Sequence, residues 1–131
     1  MRPLLEIAMR PYVVRFTTVM LILIVSAATL TPSENMPSSP PGSDKLHHFL
    51  AFGAIAFNIA LLRPRYTLYA ILAVSAYGAM IEVIQPHVGR HGDVMDAIAN
   101  TIGAIAGGLA GFAINRAIKA RGPTPKGPAI D

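Results

Sequence analysis

The chain has 131 residues, 53% of them hydrophobic and 14% charged, with a mean hydropathy of +0.49. A soluble domain of that length needs far more polar surface, so lipid is the expected solvent for much of the chain. Cysteine is absent, which excludes disulfides and thiol chemistry, and the net charge of +4 lies scattered beside apolar runs, so no nucleic-acid partner is expected.

Four apolar runs follow in order, each close to the ~20 residues a helix needs to cross a hydrocarbon core. The first is Phe16 to Leu30, extended backward through Tyr12, Val13 and Val14, and predicts a helix over about 13–31. Arg10 and Arg15 followed by an apolar stretch and Ser26, Ala27 and Ala28 also fit a secretory signal peptide. The region before the run is long for that and no A-x-A site ends it, so an uncleaved helix is preferred. Thr31 to Asp44, rich in Pro, Ser and Gly, is expected to be an irregular loop. The second, third and fourth helices are expected at about 46–62, 66–85 and 96–115, and residues 121–131 as a disordered tail. Backbone groups in lipid must be satisfied within a segment, so the fold class is all-α: one domain, an integral membrane bundle of four transmembrane helices.

The connections sort the charges. Arg2, Arg10 and Arg15 precede the first run, Arg63 and Arg65 join the second to the third, and Arg116, Lys119, Arg121 and Lys126 follow the fourth. Only Lys45 and Arg90 lie on the other side. By the positive-inside rule both termini are expected in the cytoplasm of a bacterial inner membrane, with the other two loops outside. Glu34, Asp44, Glu82, Asp93, Asp96 and all four histidines then share the outer side.

Those residues fall into three groups: Asp44, Lys45 and His48 open the second helix, Glu82 and Gln85 close the third, and Arg90, Asp93, Asp96 and Asn100 lead into the fourth. Asp44 and His48, four apart, share a face and can pair. Asp93, Asp96 and Asn100 share another. Glu82, near the end of an apolar helix, must find a cation or donor or stay protonated, with Arg90, Lys45 and His48 as candidates. Structural roles are open beside these: Asp93 as N-cap with Asp96 completing a capping box, Asp44 as a cap, Asn100 as an interhelical hydrogen bond. Ala99, Gly103, Gly107 and Gly111 form a small-residue ridge that lets a neighbouring backbone approach, with Gly53 and Gly78 as possible counterparts.

The pattern D-K-x-x-H, E-x-x-Q and R-x-x-D-x-x-D-x-x-x-N-x-x-G resembles that of the VanZ-like family of membrane proteins. It is carried by Asp44, Lys45, His48, Glu82, Gln85, Arg90, Asp93, Asp96, Asn100 and Gly103. The family is named for a protein associated with teicoplanin resistance, so the resemblance implies a cell-envelope membrane protein and no settled chemistry. His47, His48, His87 and His91 match no zinc motif, and neither metal nor cofactor is expected.

Three functions fit. One is an enzyme acting on a lipid-linked or envelope component, with Glu82 or His48 as acid or base and Lys45, Arg90, Asp44, Gln85, Asp93, Asp96 and Asn100 binding or orienting. The second is a module that binds such an amphiphile without reacting. The third is an ion-pair network that locks the bundle. A channel is disfavoured because the charges gather at one end.

Overall fold

The computed structural model describes residues 10–32, 34, 40 and 42–121. Most of the expected irregular loop, and the expected tail after Arg121, lie outside the described residues. Four helices, α1 (Pro11–Leu30), α2 (Ser43–Leu62), α3 (Thr67–Ile84) and α4 (Val94–Ala120), make up nearly all of the rest. Each is long and apolar enough to cross a membrane. Pro11 occupies the first position of α1, where a missing N–H does no harm. Short 3-10 turns at Pro64–Tyr66 and Gln85–Val88 follow α2 and α3, both carrying a proline that cannot continue the preceding helix.

Two helices differ most from expectation. The second helix starts at Ser43, so Asp44 and Lys45 belong to its first turn. The fourth starts at Val94 and runs 27 residues, about 40 Å at the usual helical rise, beyond the end expected at 115. Arg116 and, in the last turn, Lys119 lie past the apolar stretch, and the Arg116 guanidinium lies 6.0 Å from the centre of the Phe112 ring.

Burial runs opposite to that of a soluble bundle. Phe16 and Ile24 on α1, Leu46 and Leu50 on α2, Leu68 and Leu72 on α3, and Ile98 and Leu109 on α4 are exposed. Thr29, His48, Glu82, Gln85, Asp96, Asn100 and Asn115 are buried alongside an apolar core of Val25, Phe52, Ile55, Ala56, Val74, Ile81 and Ala104. Apolar side chains outside and hydrogen-bonded polar ones inside suit a hydrocarbon solvent.

The bundle is drawn together by absent side chains. A Cβ at Gly103 would strike the Phe49 carbonyl, one at Gly107 the Gly53 carbonyl, and one at Gly111 would lie 2.6 Å from the Phe57 oxygen. The ridge on α4 is therefore spent on backbone contact with α2 within one chain. Gly78 on α3 serves α4 similarly, since its Cβ would lie 2.7 Å from that of Asn100. Polar contacts hold α1: Ser26 Oγ lies 2.6 Å from the Tyr77 hydroxyl, and the Asn58 amide donates to Thr17 and Thr18 at 3.2 and 3.1 Å.

Candidate functional site

The N-terminal turns of α2 and α4 and the end of α3 meet at one end of the bundle. Gly42, not Asp44, occupies the N-cap position of α2, with no side-chain cap. Asp93 does cap α4: its Oδ1 accepts the Met95 N–H at 2.8 Å. The expected capping box does not form. The Asp93 N–H donates instead to Glu82 Oε2 at 3.1 Å, across eleven residues of chain. That contact needs the chain to double back tightly after α3. Gly89, in the left-handed region at φ +76°, starts the reversal, and the Arg90 N–H closes it on the Gln85 carbonyl at 3.0 Å.

His48 is the buried hub, 2% exposed, with Glu82 at 8%, Asp96 at 5% and Asn100 at 0% around it. The Asn100 amide donates to Glu82 Oε1 at 3.4 Å, leaving Asn100 Oδ1 to face His48 Nδ1 at 2.9 Å. An oxygen there accepts, so Nδ1 carries the proton and donates. Nδ1 also lies 3.5 Å from Glu82 Oε1. In the neutral ring the other nitrogen, Nε2, is then the basic one, and it lies 3.9 Å from Asp96 Oδ2. Each imidazole nitrogen thus faces a different carboxylate. The ring stacks on Phe52 at 6.2 Å with planes 4° apart, which fixes its orientation.

Around this core the ions pair differently from the sequence expectation. Asp44 does not pair with His48; it faces Arg90 at 3.6 Å. Arg90 is not Glu82's partner either, and also donates to the Ala28 and Thr31 carbonyls of α1 at 3.3 and 3.5 Å. Lys45 reaches Asp93 at 2.9 Å and Asp96 at 3.4 Å. The Lys45 ammonium and then the Met95 N–H hold the Asp93 carboxyl below its ordinary value of 3.8. Glu82 is satisfied by His48, Asn100 and a main-chain N–H, of which only His48 was a candidate. Gln85 is buried against α1 and donates to the Thr29 carbonyl at 3.0 Å. His87 is exposed and turned to the Val83 carbonyl.

A cavity of about 380 Å³ opens beside His48, lined by Asp44, His47, Arg90 and the apolar Ala28, Leu50 and Ala51. It combines charged and aliphatic lining side chains.

The model of the VanZ/LLP1 family matches residues 6–115. The chain belongs to that family. No curated protein and no solved structure matches it. As a VanZ/LLP1 protein with four apolar helices it is a multi-pass membrane protein, and of the patterned residues the fold gathers Glu82, Asp96 and Asn100 around His48. His48, Glu82 and Asp96 also offer one nitrogen and two carboxylate oxygens within 4.8 Å of one another, a donor set that no linear spacing announces. In this VanZ/LLP1 chain Asp96 Oδ1 also faces Lys45, and His48 Nδ1 and Glu82 Oε1 also face Asn100.

Proposed function

We propose that this VanZ/LLP1 protein lies in a bacterial inner membrane with both termini cytoplasmic, and that the site around His48 receives an amphiphilic, lipid-linked envelope component from the outer side. His48 is its acid–base group. The observation that carries this reading is the clamped imidazole: Nδ1–H committed to Asn100, Nε2 facing Asp96, and the ring lining a cavity with Arg90 at its edge. A histidine whose tautomer and plane are fixed is prepared to exchange one proton at one atom. Arg90 and Lys45 supply positive charge for an anionic head group. Leu50, Ala51 and Ala28 supply the apolar wall for a chain.

A second reading has its own support. Glu82 ties Asp93 to Asn100, while Gln85 and Arg90 tie α1 to the same end, so the network also locks the bundle. His48→Asn and Glu82→Gln separate the two. If the site acts on an amphiphile, both variants still accumulate in the membrane as folded protein. The lipid profile of cells carrying them then matches that of cells lacking the gene. Loss of folded protein with no separate lipid phenotype sinks the acid–base reading and leaves the lock.

A further inference from the structure

At the end of the bundle opposite His48, a cavity of about 480 Å³ opens between α1, the end of α2 and the turn that follows it. Its polar lining is Arg15, Thr18, Arg63, Arg65 and Tyr66, and its apolar lining includes Val14, Val19 and Ile59. The Arg65 guanidinium lies 4.6 Å from the centre of the Tyr66 ring, an arrangement that holds the charge at the rim. Arg15 from α1 and Arg63 and Arg65 from the turn after α2 thus line one cavity.

We infer that this cleft is a binding site for an anionic membrane phospholipid, independent of the His48 site. Charge complementarity selects the ligand: guanidinium forks match phosphate oxygens, and a zwitterionic head group brings its own cation into the same space. The apolar lining selects the source. Val19 and Ile59, each about one turn from an arginine toward the middle of α1 and α2, supply apolar lining that an acyl chain can contact and free phosphate cannot. The positive-inside rule accounts for cations at this end but not for three arginines lining one amphiphilic cavity. The inference holds whichever way the protein is oriented, because anionic lipid is the ligand in either leaflet.

The full-length protein, purified in detergent, is titrated with phosphatidylglycerol or with phosphatidylcholine of the same acyl chains, and bound lipid is counted by native mass spectrometry. Arg15→Gln, Arg63→Gln and Arg65→Gln together are compared with Arg116→Gln, Lys119→Gln and Arg121→Gln together, which remove the same charge from the same end outside the cleft. The cleft variant is expected to lose about tenfold or more in phosphatidylglycerol affinity, while the second variant loses far less. Equal losses in both, equal binding of the two lipids, or displacement of the lipid by inorganic phosphate overturns the site. Should the cleft variant fail to fold, exposed Arg15→Gln alone decides: about fivefold weaker binding supports the site, unchanged binding overturns it.

Discussion

Asn100 stands between two ionisable groups and is fully enclosed. Its amide nitrogen serves Glu82 and its oxygen serves His48, so one side chain sets the tautomer of the histidine and part of the solvation of the acid. Asn100→Leu keeps the volume and removes both contacts. A buried carboxylate and a buried imidazole lose a partner together, a loss of about 2–4 kcal/mol, measurable as a lower unfolding temperature in detergent. An unchanged unfolding temperature would mean that Glu82 and His48 do not depend on the amide. Asp93 gives the pH-dependent counterpart. Its carboxyl titrates below the ordinary value in the folded chain because Lys45 and the Met95 N–H favour the ionised form. That stabilisation is present in full above the ordinary carboxylate range and is lost as pH falls through the lowered value. Asp93→Asn should therefore be less stable than the native chain near pH 7, and the gap should narrow as the pH falls below the ordinary carboxylate range. Thermal unfolding of both across that range checks it. A gap that widens in acid would contradict the Lys45 pairing.

The α2–α4 contact rests on glycine, and one substitution tests it cleanly. Gly107→Val would drive a side chain into the Gly53 carbonyl, which is backbone and cannot swing aside. Overpacking of that kind is expected to remove about 1–3 kcal/mol or to prevent accumulation. Ala106→Leu, one position along on the exposed surface, should change stability by less than about 0.5 kcal/mol. If the two behave alike, the close approach of α2 to α4 is wrong. This ridge was legible from the four-residue recurrence of Gly103, Gly107 and Gly111, and so were the four helices, because apolar runs of such length have few alternatives. The starts of α2 and α4 were less legible. Hydropathy treats Asp44 and Lys45 as loop residues, yet the helix continues through them since Arg90, Asp93 and Asp96 supply their partners. The capping role of Asp93 could be read from its place before an apolar run. That Glu82 takes the Asp93 N–H could not, because that contact depends on how the chain reverses at Gly89.

Across the whole molecule, sequence order placed His48, Glu82, Asp96 and Asn100 at one end of the bundle, but pairing among them depends on helix rotation, which spacing within single helices does not encode. The same end-to-end sorting determines the proposed orientation. Arg63, Arg65, Arg116, Lys119 and Arg121 crowd the end opposite His48, while the two cations at the His48 end, Lys45 and Arg90, are engaged by Asp93, Asp96 and Asp44. Crossing the membrane the other way would carry the larger basic group outward, against the bias that sets topology. A chain without cysteine makes the test direct, since any introduced thiol is unique. His87→Cys, exposed in the turn after α3, should react with a membrane-impermeant maleimide in intact cells. Arg121→Cys, just past α4, should react only after the membrane is opened. The reverse pattern would turn the His48 site toward the cytoplasm and would end the proposal of an outer-side substrate, while leaving the four-helix fold and the network around Asn100 untouched.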